Sequence, residues 1–182
     1  MDRQDVCNLI SRRYDEVHGA IPEIAYGSFL SCPSVSGTKA ALGYRRASGQ
    51  RLFLEAYLDR PIEAELADIF GRSVARHDIV EIGNLAADTA PAMIQLWAQT
   101  ANDLGADAEV AVAVLTRQLR SMFRRLGLTL HEIAPARPER LIDGGARWGA
   151  YYAQDPIICA GLIADGQARL AMMSARRERK RA

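Results

Sequence analysis

The run Ile79-Val80-Glu81-Ile82-Gly83-Asn84-Leu85-Ala86 decides how this chain is read, because an apolar strand pattern here carries a carboxylate and a carboxamide around a glycine. Alternation puts Ile79, Glu81, Gly83 and Leu85 on one face and Val80, Ile82, Asn84 and Ala86 on the other, unless the ladder slips at Gly83. A bulge at that glycine would re-aim the polar groups. A buried glutamate without a partner is costly, so Glu81 either pairs with a base such as Arg45 or Arg46 or lines a wet cleft.

Outward from this strand the punctuation is clear. Thr89 can cap a helix with Pro91 just inside it; Met93, Trp97 and Leu104 share one face, and Gly105 stops it. A Val-rich strand, 109–115, follows. The helix 117–126 ends at Gly127, and a strand over 128–134 comes next. The order is β-α-β-α-β.

Upstream, 4–18 reads as a helix closed by Gly19, and 26–32 with 38–46 as strands that could form a hairpin across Pro33-Ser34-Val35-Ser36-Gly37. The apolar stretch 52–58 can be assigned to neither state, and 61–71 brackets a short helix between Pro61 and Gly71. Downstream, a Pro/Arg-rich loop, 135–147, leads to Trp148-Gly149-Ala150-Tyr151-Tyr152, a last apolar strand over 156–163 and a C-terminal helix. The fold class expected is α/β (α+β), one domain over 1–175, with 176–182 a loose basic tail.

Composition sets bounds. At 182 residues, 49% hydrophobic and 25% charged, the chain can bury one sizeable core. A formal charge of +1 gives no global pull toward nucleic acid. Cys7, Cys32 and Cys159 are odd in number and widely spaced, which fits a reduced cytoplasm and small core residues. No apolar run of membrane-spanning length and no signal segment is visible, so a cytoplasmic protein is expected. HExxH, GxSxG, Walker and GxGxxG patterns are absent and no metal site is expected. Of the three histidines, His131 beside Glu132 is the best candidate base, on a strand expected to run parallel to the Glu81 strand.

The stretches Ala41-Leu42-Gly43-Tyr44-Arg45-Arg46-Ala47, Leu52-Phe53-Leu54-Glu55-Ala56-Tyr57-Leu58-Asp59, Val80-Glu81-Ile82-Gly83-Asn84-Leu85-Ala86 and Trp148-Gly149-Ala150-Tyr151-Tyr152 together resemble the thermostable haemolysin family, from about Tyr14 to Leu162. That family is similar to the GNAT acyltransferases, closest in pattern to the acyl-homoserine lactone (autoinducer) synthases. The resemblance implies a single-domain GNAT-like mixed sheet, splayed around an acyl thioester and flanked by helices. Glu81 stands where the synthases carry the glutamate of Glu-x-Ser-Arg, with Gly83 replacing the serine and Asn84 the arginine. Arg46 fits their Gly-x-x-Arg strand and Arg45 the haemolysin-family pattern, and both are kept.

Two departures matter. The loop that cradles CoA pyrophosphate is replaced by Ala87-Asp88-Thr89-Ala90-Pro91, and Phe123 stands where GNAT enzymes frequently carry a general-acid tyrosine. A phenyl ring cannot protonate a leaving thiolate, so Tyr151, Tyr152, water or no catalysis at all are the alternatives.

The resemblance therefore implies transfer of an acyl group from a carrier-protein phosphopantetheine or CoA thioester to a small amine, in small-molecule or signal biosynthesis. Glu81, Asn84, Arg45, Arg46 and Tyr152 are the candidate catalytic residues; Gly83, Leu85, Ala86 and Thr89 would line the thioester. Arg117, Arg120, Arg124 and Arg125 on one helix are available to dock an acidic acyl carrier protein, or form a solvated face. The other readings are a membrane-active haemolysin and a non-catalytic acyl- or carrier-binding module.

Overall fold

The computed structural model describes residues 2–35 and 37–179, with the side chains of 177 and 178 left out. Helix α1 (Arg3–His18) begins at Asp2, whose carboxylate accepts the Gln4 N–H, and closes on Gly19 in the left-handed region. Strands β1 (Ser28–Ser34) and β2 (Gly37–Arg46) form the hairpin, tighter than expected, with Ser34 opposite Gly37. Ser36, within the expected turn, lies outside the described residues.

The undecided stretch 52–58 is a 3-10 turn over Phe53–Tyr57. Helix α2 (Ile62–Phe70) follows Pro61 and ends at Gly71. Strand β3 (Ile79–Ala87), helix α3 (Ala90–Leu104), strand β4 (Val110–Leu115) and helix α4 (Arg117–Leu126) match the spacing read from sequence. Thr89 and Thr116 cap α3 and α4 through their hydroxyls.

Strand β5 (His131–Pro135) begins later than expected, and strand β6 (Ile157–Leu162) is followed by helix α5 (Ile163–Arg179). A 3-10 segment over Ala146–Gln154 joins β5 to β6. Helix α5 thus takes in Arg176 to Arg179, four residues expected in the loose tail; residues 180–182 lie outside those described.

The six strands make one mixed sheet in the order β1-β2-β3-β4-β6-β5. Only β3 and β4 are parallel neighbours; the other pairs are antiparallel. Ala41 and Ala86 pack against Val6, Ile10 and Tyr14 of α1 on one face. On the other, Ala40 and Leu42 pack against Leu96 and Trp97 of α3.

Two irregularities in β3 shape the centre of the sheet. Pairing with β4 runs from Ile79↔Val110 to Ile82↔Ala113 and stops. Beyond it, β4 continues beside β6 while β3 continues beside β2, so the sheet opens as a V. Within the opening β3 bulges: Ala41 faces Ala86 and Gly43 faces Gly83, three steps of β3 against two of β2. Asn84 takes up the slack with φ 47°, in the left-handed region that asparagine tolerates better than most residues. The slip exchanges faces. Ile79 packs toward the 3-10 turn and Ala86 toward α1, whereas Leu85 and Ala87 turn to α3.

Candidate active site

A cleft of about 940 Å³ enters the V from the α1 face. Gly83 to Ala87 form its β3 wall, Val114 and Thr116 the opposite wall, and Thr89, Ala90 and Met93 at the start of α3 the inner end. Half of the chain's Phe, Trp and Tyr residues line it: Tyr14, Tyr26, Phe53, Tyr57, Trp148 and Tyr151. His18, Tyr14, Trp148 and Tyr151 form a continuous aromatic wall, with ring centroids 5.2 to 6.4 Å apart.

Glu81 is at the floor, 1% exposed. Its Oε1 accepts the Leu54 N–H at 2.8 Å and its Oε2 the Phe53 N–H at 3.0 Å, so the carboxylate holds the start of the 3-10 turn. Arg45, directly opposite in the β2 register, brings Nε to 3.3 Å from Oε2. Burial pushes the Glu81 carboxyl up, against the pull of the two amides and Arg45. Both readings of Glu81 therefore meet in one residue: it is paired and it faces a cleft.

The other expected site residues divide. Asn84 is 5% exposed, lines the cleft, and its Oδ1 has no hydrogen-bond partner among the described residues. Gly83, Leu85, Ala86 and Thr89 line the same cleft. Arg46 is not brought there: neighbouring residues of a strand point to opposite faces, and its guanidinium binds the backbone carbonyl and carboxylate of Asp107 at 2.9 and 3.1 Å. Tyr152 does not line the cleft either; its hydroxyl bonds that of Tyr57 at 2.7 Å and reaches the cleft through Tyr57.

His131 lies on β5, separated from β3 by β4 and β6, and stacks edge-on against Phe70. His18 is the histidine at the cleft, with burial lowering its basicity. The α4 arginines do not form one free face. Arg120 is 4% exposed and binds the Leu115 and Asp155 carbonyls and the Asp155 carboxylate, Arg124 pairs with Glu132, and Arg125 lines the cleft.

Sequence reasoning passed over Tyr26, His18 and Tyr57. Glycine pairs in strands often mark a close approach of another group, and the signal for Tyr26 is Gly43 facing Gly83. No group of three or more His, Cys, Asp or Glu suited to a metal ion occurs among the described residues, and none of their helices is long and apolar enough to cross a membrane.

The sequence profile described as "Thermostable hemolysin" matches residues 1–167. The chain belongs to the thermostable hemolysin family. Among the curated proteins, none matches it. Solved structures share this family member's fold at low identity. TofI, in a ternary complex with an inhibitor and MTA, superposes with a TM-score of 0.63 at 19% identity over 94% of this chain and 91% of its own. FeeM, an N-acyl amino acid synthase from uncultured soil microbes, gives 0.61 at 13% over 92% and 94%. BjaI, a CoA-dependent acyl-homoserine lactone synthase with SAM and isopentyl-CoA, gives 0.58 at 11% over 92% and 80%. The six-stranded mixed sheet flanked by helices is thus the expected fold class, and these structures share its fold.

Proposed function

We propose that this hemolysin-family protein is a GNAT-like acyltransferase that moves an acyl group from a carrier-protein phosphopantetheine or CoA thioester to a small amine. The observation that carries the reading is the opening between β3 and β4. A thioester laid in the V meets backbone groups of β3 freed from β4, and the start of α3, capped by Thr89, faces the same space.

The amine must present a lone pair to the thioester carbon. In this mechanism Glu81 takes its proton, directly or through water, while Arg45 fixes the carboxylate from the β2 side. Backbone N–H groups at the Gly83-Asn84 bulge stabilise the oxyanion. The aromatic wall supplies a dry surface for an acceptor with a flat or apolar body. FeeM, an N-acyl amino acid synthase, and BjaI, a CoA-dependent acyl-homoserine lactone synthase, support the class of reaction without fixing donor or acceptor.

The test is thiol release and intact-mass analysis with acyl-CoA and acyl-carrier donors and pooled amines, for wild type beside Glu81→Gln. Donor-dependent thiol release with an acylated amine, both lost in the variant, is the expected result. Donor binding without transfer by wild type would replace the enzyme with a binding module.

A further inference from the structure

Tyr26 precedes β1, and its ring lies across β2 and β3 at the one level where both strands carry glycine. A Cβ at Gly43 would stand 2.7 Å from Tyr26 Cβ and Cγ; one at Gly83 would stand 2.5 Å from Cζ and closer still to Oη. The Arg45 guanidinium covers the ring at 4.5 Å from its centroid. The hydroxyl is thereby fixed against Gly83, one residue past the last β3–β4 pair, where the V begins. Oη makes no hydrogen bond to any described residue and is not sealed from the cleft that Tyr26 lines.

Among the other tyrosines, Tyr151 donates to the Val114 carbonyl and Tyr57 shares one hydrogen bond with Tyr152. The Tyr14 hydroxyl also has no partner among the described residues, but its ring belongs to the aromatic wall on α1 and is not the one set against Gly83. Phe123 is packed against Trp97 at 3.9 Å between centroids, within the cluster on the α3 face.

We infer that Tyr26 is the proton donor to the sulfur that leaves the thioester, an assignment that rests on the acyl-transfer reading above. The amine nitrogen bonds to the carbonyl carbon and gives a proton to Glu81. As the tetrahedral adduct collapses, the C–S bond breaks, sulfur keeps the electron pair and takes the Oη proton, and the amide departs with the thiol. The proton on Glu81 then returns to the phenolate, restoring both groups with no net proton consumed. Burial and the neighbouring Glu81 both hold the Tyr26 phenol protonated, with Arg45 opposing. The resting group is a donor.

Tyr26→Phe keeps the ring in its glycine cradle and removes only the hydroxyl. Wild type and variant are compared with two donors that differ in leaving group, S-hexanoyl-N-acetylcysteamine and S-phenyl thiohexanoate, and a mixture of primary amines. An alkanethiolate needs a proton to leave well and an arenethiolate much less so. The variant is expected to lose about 100-fold in kcat with the alkyl donor, with KM little changed, and to recover most of that loss with the aryl donor. The ratio of the two rates is internal to each protein, so a partly folded variant does not distort it. Equal losses with both donors, or none with either, would overturn the assignment and leave acyl transfer standing. A wild type that acylates no amine from either donor would overturn both.

Discussion

Replacing Gly83 by alanine should expose the contact that places the Tyr26 hydroxyl. Gly83 does not have a left-handed φ, so alanine fits its backbone and would by itself stabilise by about 0.4 to 1 kcal/mol through the unfolded chain. The new methyl, however, must push Tyr26 aside, since it would lie 2.5 Å from Cζ. The ring has little room to yield. Its base lies over Gly43, so close that a Cβ there would stand 2.7 Å away, and Arg45 covers its face, so overpacking should cost about 1 to 3 kcal/mol. Tyr26→Ala alone should cost about 3 to 5 kcal/mol, as for other large aromatic truncations in a core. In the double variant the Gly83→Ala penalty should vanish or reverse, giving an interaction energy of about 1 to 3 kcal/mol. Urea unfolding of the four proteins measures it. Penalties that add within about 0.5 kcal/mol would refute the glycine cradle and remove the geometric basis for Tyr26 at the V.

Three further predictions concern other parts of the site and its frame. Burial pushes the Glu55 carboxyl up, but Arg76 and the Ile62 and Leu52 amides outweigh it and hold it at about 2, below its ordinary 4.5. Its stabilisation is complete above about pH 4.5 and is lost as pH falls toward 2, so Glu55→Gln should flatten the acid limb of the stability profile. Asn84→Val should cost about 1 to 2 kcal/mol because a β-branched residue resists φ 47°, whereas Asn84→Gly should not; urea midpoints separate the two. Phe123→Tyr should leave acyl-transfer kcat unchanged, since its ring packs with Trp97; a gain of tenfold or more would place the reacting sulfur near α4.

Local chemistry made much of the fold legible. Thr89, Gly71 and Gly127 carry their cap instructions in one or two residues, and α3 begins and α2 and α4 end where those residues say. The Phe53–Tyr57 turn was opaque because its anchors are distant: its amides are held by Glu81, 28 and 27 residues away. Arg45 and Arg46 are adjacent and chemically alike, and only the β2–β3 register decides which faces Glu81. His131 was misplaced because parallel direction was read as proximity; β6 returns antiparallel and takes the place beside β4. Tyr26 and His18 carry no motif at all, and they reach the cleft through the packing of α1 and the β1–β2 hairpin.

The opening in the sheet depends on arithmetic along the backbone. Between Gly83 and Ala86 the chain spends one residue more than its β2 partner, and every side chain after that point changes sides. Deleting Asn84 would let β3 run in step with β2, with Leu85 opposite Leu42 still on the α3 face and Ala86 still opposite Ala41 on the α1 face, so only the extra length that bows β3 away from β4 is removed. The cleft could then close without any cleft-lining side chain other than Asn84 being altered. In this fold a reaction chamber is encoded by the length of a segment, so a single-residue deletion at that point threatens it more than many substitutions along its walls.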